Sequence, residues 1–289
     1  MSAPARTSDS AGRRPTDEAA QRMTGAERRP TGAHGHEPTG EALPALVGHR
    51  GAAALEPENT VLSFHRAIAE GAQLLECDVH LSSDGVDVIM HDATIDRTAQ
   101  EESPLHTGAV SDLTRAQLDR VLVGKGEHIP TLDQVLDAAV RRDGTRVPLL
   151  VEIKAPAAAE RVARILMEHF DQDAWDQRIS PAQIISFHPE ALRTAREAEP
   201  RIPLLLTTTA TSPEFFETAA ELGVAQIGVR IADARQADVD RTRELGIQLN
   251  LWTARSEEEL ARALELGCDT VTVDDPAWAR ARREELTGP

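Results

Sequence analysis

Several apolar runs in this chain end in side chains that move protons, hold cations or bind anions. Leu46-Val47-Gly48 is followed by His49 and Arg50. This sets an imidazole that titrates near neutral pH beside a guanidinium whose fork suits a phosphate, although a capping histidine and a surface arginine fit the same two residues. In Leu75-Glu76-Cys77-Asp78-Val79-His80 the strand period of two places Glu76, Asp78 and His80 on one face, opposite Leu75, Cys77 and Val79. Carboxylates at i and i+2 facing an interior are costly unless a cation meets them. Hard oxygen ligands suit Mg²⁺, Ca²⁺ or Mn²⁺, and salt bridges to arginine are the alternative. His80 reads as packing near the strand end and Cys77 as a small buried hydrophobe.

The run Val86 to Met90 ends in His91-Asp92, a second imidazole for acid–base chemistry, with Asp92 either orienting a ring or starting a turn. Leu149 to Lys154 puts Glu152 and Lys154 on one face. Lys125 and Lys154 are the only lysines among 31 basic residues. A lysine on a buried strand therefore reads as a compact charge for a phosphate oxygen, or else as a partner for Glu152. Later runs end in Ser186-Phe187-His188, in Asn250 with Trp252, and in Asp274-Asp275-Pro276. Trp252 either walls a pocket or packs in the core, and Asp274 is either a supporting acid or a helix cap.

These groups need a scaffold, and the rhythm of the chain supplies one. Apolar runs at 46–48, 74–79, 147–153, 184–187, 202–206, 227–229, 247–252 and 270–273 alternate with amphipathic stretches at 61–70, 132–140, 161–170, 190–197, 214–222, 239–245 and 257–266. Strand followed by helix, about eight times over, predicts a (β/α)₈ TIM barrel rather than an open doubly wound sheet. Catalytic groups of such barrels lie at the C-terminal strand ends, which is where these residues fall. The extra run at 86–90 follows Ser82-Ser83-Asp84-Gly85 and predicts a small insertion after the second strand. The chain has no Gly-rich phosphate loop, no zinc-spaced Cys/His set and no nucleophile elbow.

Composition narrows the classes further. Hydrophobic residues make up 40% and aromatics 3%, with no tyrosine, so the core is built from Ala, Val, Leu and Ile. The 48 acidic against 31 basic residues give a net charge of −17, which excludes a basic nucleic-acid surface and a polybasic membrane patch. Two cysteines, Cys77 and Cys268, argue against a disulfide scaffold. No apolar run approaches the roughly 18 residues of a membrane span. No apolar segment follows the Arg13-Arg14 or Arg28-Arg29 pairs, so the expected address is cytoplasmic. Residues 1–44 lack Phe, Trp, Tyr, Val and Ile and balance six arginines with six acids, so they are expected to form a disordered tail before a 45–289 domain. The oligomeric state is left open.

Taken in order, His49-Arg50-Gly51, Pro57-Glu58-Asn59-Thr60, Glu76-Cys77-Asp78-Val79, Asp84-Gly85, His91-Asp92 and Asp96-Arg97-Thr98 resemble the glycerophosphodiester phosphodiesterases, of the PLC-like phosphodiesterase superfamily. Ile129-Pro130-Thr131-Leu132, Glu152-Ile153-Lys154, Ser186-Phe187, Leu251-Trp252-Thr253 and Asp274 with Pro276 continue the likeness, which spans Leu46 to Trp278. The resemblance implies a TIM barrel that hydrolyses small-molecule glycerophosphodiesters to glycerol 3-phosphate and an alcohol. It implies Mg²⁺ or Ca²⁺ on Glu76, Asp78 and Glu152, with His49 and His91 as general acid and base. It places Arg50, Lys154 and Trp252 at the substrate and gives Glu58 and Asn59 supporting roles; Asn59 is also a candidate cap for a helix beginning at Thr60. A substrate hydroxyl next to the phosphorus is the implied attacking group. Two positions depart from the pattern: the segment 122–128 is short and lacks an aromatic, and Val273 stands where threonine is common.

Three rivals differ in what they require. Lysophospholipase D activity keeps the site but needs an apolar channel. A non-catalytic barrel binding phosphate esters is expected to have lost a histidine or a carboxylate. A glycosidase using Glu76 and Glu152 leaves His49, His91 and Lys154 without a shared role.

Overall fold

The computed structural model describes residues 43–175 and 180–287. The expected tail therefore lies outside the described residues except for its last two positions.

In chain order the elements are β1 (Ala45–Gly48), α1 (Val61–Ala69), β2 (Leu74–Leu81), β3 (Asp87–Ile89), α2 (Arg115–Leu118), β4 (Leu122–Gly124), β5 (Glu127–His128), α3 (Leu132–Ala138), β6 (Leu149–Ile153), α4 (Ala159–His169), β7 (Ala182–Ser186), α5 (Pro189–Ala198), β8 (Leu204–Thr208), α6 (Pro213–Leu222), β9 (Gln226–Arg230), α7 (Gln236–Leu245), β10 (Gln248–Ala254), α8 (Glu257–Leu266), β11 (Thr270–Val273) and α9 (Pro276–Thr287). Eight of the strands pair in parallel in the order β1-β11-β10-β9-β8-β7-β6-β2, and β1 also pairs with β2, closing the cylinder. This is the (β/α)₈ barrel that the alternation predicts. Among the described residues no helix is long and apolar enough to cross a membrane.

Alternation along the strands divides the core. Leu46, Leu75, Cys77, Val79, Val151 and Ile153 pack with helix residues such as Phe64, Leu136 and Val162. Val47, Leu150, Ile185 and Leu205 make a separate, smaller cluster on the opposite face, inside the barrel. Asn250 also points inward, where its amide donates to Thr270 Oγ1 at 2.7 Å, so it belongs to the barrel's polar filling. Val273 lies in the outer cluster, so the change from threonine falls on the face turned away from the barrel interior.

The insertion is larger than the small one the sequence predicts. β3 does pair antiparallel with the end of β2, with Val79 opposite Ile89 and Leu81 opposite Asp87. The chain then continues to Thr131 and builds its own core from Val88, Met90, Ile95, Val110, Leu118, Val121 and Ile129. The β4–β5 hairpin leans on the loop after β1: Lys125 Nζ reaches Glu56 at 2.5 Å and the Leu55 carbonyl at 3.3 Å.

The turn after β1 is tightly specified. Arg50 has φ +50° and Gly51 φ +86°, both in the left-handed region. The Arg50 carbonyl accepts from the Asn59 amide at 3.0 Å and from the Ser63 hydroxyl at 2.9 Å. Ser63 Oγ also accepts from the Ala52 amide at 2.9 Å. A β-carbon on Gly51 would stand 2.4 Å from that same oxygen. Gly51→Ala thus combines a disfavoured φ with a backbone-level clash and is expected to cost about 1–3 kcal/mol, with loss of activity. Urea unfolding of the two proteins measures it, and an unchanged midpoint contradicts the assignment.

Candidate active site

Parallel pairing of β2 with β6 sets Asp78 directly beside Glu152, with Glu76 one pleat below on the same face. Carboxylate oxygens of Glu76, Asp78 and Glu152 come within 4.8 Å of one another. Two cations answer them. Lys154 Nζ donates to Glu152 Oε1 at 2.9 Å and stands 3.7 Å from Asp78 Oδ1. Arg50 stands 3.3 Å from Asp78 Oδ2 through Nε, and its backbone N–H donates to Glu76 Oε2 at 2.9 Å. Asn59 closes the other side, its amide donating to Asp78 Oδ2 at 2.8 Å. The cap of α1 is instead Thr60, whose hydroxyl accepts from Ser63 N, and the helix starts at Val61. Asn59 sits one residue too early to cap it, at φ +58°, and turns toward the site.

The two histidines are built alike from unrelated segments. His49 Nδ1 meets Asp274 Oδ1 at 2.5 Å, and Asp274 Oδ2 accepts from Arg255 Nε at 2.5 Å. His91 Nδ1 meets Asp92 Oδ1 at 2.6 Å, and Asp92 Oδ2 accepts from Arg97 Nε at 2.6 Å. A carboxylate on Nδ1 fixes the ring and leaves Nε2 free for another group. Glu58 ties the second arm to the centre. It accepts from Arg97 at 2.8 and 2.7 Å and from Arg50 NH1 at 2.8 Å. His80 Nε2 faces the His91 carbonyl at 3.1 Å and so steadies that loop. At the end of β10, Trp252 packs edge-to-face on Phe187 with ring centres 5.5 Å apart, and Lys154 lies 5.9 Å from the Phe187 centroid.

The electrostatics follow from burial. Desolvation first, then Asp78 and Glu152, pushes the Glu76 carboxyl well above the usual carboxylate range. Desolvation and then Asp78 push Glu152 up to about 7. Desolvation also lowers His91 below the ordinary imidazole value, against the pull of Asp78 and Asp92. Arg97's hydrogen bond holds Asp92 down at about 2; burial opposes this and His91 adds to it. Glu76 Oε1 is buried with no hydrogen-bond partner. An orphan carboxylate oxygen beside two further carboxylates, one of them proton-hungry, is the donor set of a hard divalent cation, and the residues fit such an ion.

With this geometry in place, comparison with known proteins is decisive. The model of the glycerophosphoryl diester phosphodiesterase family matches residues 49–278. The chain belongs to that family. It is 28% identical over 243 residues to the glycerophosphodiester phosphodiesterase of Caldanaerobacter subterraneus subsp. tengcongensis, covering 80% of this chain and 94% of that one. It is 30% identical over 262 residues to a probable glycerophosphodiester phosphodiesterase 1 of Mycobacterium tuberculosis, covering 84% and 93%. Its fold is similar to that of an Oleispira antarctica phosphodiesterase solved with the product sn-glycerol-3-phosphate, with a TM-score of 0.73 and 25% identity over 83% of this chain and 96% of the other.

In this phosphodiesterase the barrel brings His49, Arg50, Glu58, Asn59, Glu76, Asp78, His91, Glu152 and Lys154 to the C-terminal strand ends, with Trp252 beside them. Asp274 is a histidine partner, and the cap before Trp278 falls to Asp275, which accepts the Trp278 amide at 3.0 Å. Sequence reasoning passes over Arg255. No motif or period marks it, and only the parallel pairing of the consecutive strands β10 and β11 brings their ends together. Arg97 is visible in its motif, but the clamp it makes on Asp92 and Glu58 is not.

The raised Glu152 carboxyl has a consequence for stability. In the fold this group keeps a proton that the unfolded chain releases above the usual carboxylate range. Its contribution is fully present below about pH 4.5 and lost as pH rises through about 7. In EDTA, Glu152→Gln is therefore expected to gain in Tm relative to the parent as pH rises from about 4.5 to 8. Mg²⁺ or Ca²⁺ should raise the parent's Tm more than the variant's. A Tm difference that is flat with pH removes the assignment.

Proposed function

We propose that this glycerophosphodiester phosphodiesterase works by general acid–base catalysis between His49 and His91, over a divalent cation held by Glu76, Asp78 and Glu152. The observation that carries the reading is the pair of imidazoles, each fixed at Nδ1 by an aspartate, beside a three-carboxylate cluster with an unpartnered buried oxygen.

Hydrolysis of a phosphodiester must meet two demands: a hydroxyl must become nucleophilic, and a poor alkoxide must leave. Burial keeps His91 unprotonated near neutral pH, which suits it to take the proton of the attacking hydroxyl through Nε2. His49, with Asp274 behind it, gives its proton to the departing alkoxide as the phosphorus–oxygen bond breaks. A hydroxyl on the glycerol beside the phosphorus is the attacking group in this reading, giving a cyclic phosphate as the alcohol leaves; water then adds to phosphorus, His49 taking its proton, and the ring P–O bond breaks as His91 returns its proton to the glycerol hydroxyl, leaving glycerol 3-phosphate. Arg50 and Lys154 meet the non-bridging oxygens, where charge builds up. The cation supplies Lewis-acid charge to the same oxygens when bound, and Mg²⁺ and Ca²⁺ match the all-oxygen donor set. Trp252 and Phe187 wall the side of the site next to Lys154 and cover the carbon skeleton of the substrate.

Release of glycerol 3-phosphate from glycerophosphocholine and glycerophosphoethanolamine tests the reading. Activity should vanish in EDTA and return with Mg²⁺ or Ca²⁺. Turnover by His49→Ala or His91→Ala should fall at least about 10²-fold with the melting temperature preserved. Full activity in EDTA rejects the cation, and near-parental turnover in either alanine variant rejects that histidine's role.

A further inference from the structure

Two segments far apart in the chain build the same arrangement of imidazole, aspartate and arginine, with nearly equal distances in both arms. In the His91 arm, Arg97 also spends its charge on Glu58. In the His49 arm, Arg255 has Asp274 as its one ion-pair partner among the described residues. The Arg255 side chain is 58% exposed whereas Asp274 is 20% exposed, so the arginine adds no core packing but sits on the carboxylate. Its backbone amide separately donates to Glu259 Oε2 at 2.8 Å, a bond that does not depend on the side chain.

We propose that Arg255 is a positioning residue for His49: it holds the Asp274 carboxylate against Nδ1 and draws away part of its charge, so that His49 gives up its proton more readily. The physical argument is competition. A carboxylate shared between a guanidinium and an imidazole stabilises the imidazolium less than one serving the imidazole alone. Asp274 works against desolvation here, and its hydrogen bonds to His49 and Arg255 hold it below the usual carboxylate range. The other charged groups near this corner include Arg50 on the same loop, Glu76 and Asp78 on the adjacent β2 and Glu259 on α8, and an Arg255 variant leaves all four in place. Among the described residues, the polar partner given for the Arg255 side chain is Asp274.

The inference rests on the acid role given to His49 above, and the experiment separates the two. Ring-proton NMR on the full chain, in EDTA and with Mg²⁺, follows the His49 signal, assigned by its absence from His49→Ala. In Arg255→Ala the His49 titration midpoint should move up by about half a pH unit, the size expected of one exposed ion pair. Arg255→Lys should restore most of the difference. The alkaline limb of the kcat profile should move the same way, while KM changes little. An unmoved or lowered His49 midpoint in Arg255→Ala overturns the inference even if His49→Ala is inactive. Near-parental turnover by His49→Ala overturns the acid role itself, whatever Arg255 does to the midpoint.

Discussion

Three carboxylates buried side by side repel one another, and most of this site answers that repulsion. Parallel register leaves Asp78 and Glu152 no choice but to be neighbours. Asp78 becomes the hub: Asn59 donates to it, and Arg50 and Lys154 stand within 3.3 and 3.7 Å. For Arg50 to reach it, the chain must turn sharply after β1, and that turn uses a left-handed arginine, a left-handed glycine and the hydroxyl of Ser63. Local backbone strain is thus tied to the electrostatics of the barrel mouth, the usual place for such strain to be tolerated.

The division of labour between strands and loops follows from what each group must do. The acids sit on β2 and β6, whose ladders hold them at the fixed spacing that the proposed cation would need. The histidines sit just beyond strand ends, where an imidazole can face substrate, and each is held from behind by an aspartate and an arginine. One arm belongs to the barrel itself, closing β1 against β11 and β10. The other belongs to the insertion, which needs its own core from Val88 to Ile129 to hold His91 steady. Glu58 ties the His91 arm to the carboxylate centre through Arg97 and Arg50, so displacement of the insertion is felt at Asp78.

What the sequence discloses and what it withholds divide along the same line. The strand period already sets Glu76 and Asp78 on one face, and the scarcity of lysine already singles out Lys154. The alternation of runs discloses the barrel because each strand must be apolar on its outer face to meet a helix. Contacts between strand ends distant in sequence are not local properties. Asp274 meeting His49 across 225 residues follows from the first strand pairing with the last, and Arg255 follows from the pairing of β10 with β11. The insertion is underestimated because its second core is made of scattered single apolar residues rather than a periodic stretch. Only the capping role read for Asn59 fails: Asn and Thr both make good caps, Thr60 takes the position, and the Asn59 amide goes to Asp78.

An acidic chain that hydrolyses an anion raises a last question of charge. A net charge of −17 repels a phosphodiester at long range, so attraction must be generated within the site. In the fold as described, Arg50 and Lys154 are already engaged by Glu58, Asp78 and Glu152, and have little charge left over for a phosphate. A divalent ion held by Glu76, Asp78 and Glu152, as proposed above, would bring to this site positive charge that the two engaged cations do not supply. Two arginine-backed aspartates behind the histidines keep the remaining negative charge on the far side of each ring. The acidic residues that occupy Arg50 and Lys154 are thus the same ones that would hold the cation proposed above, and with it the positive charge an anion needs.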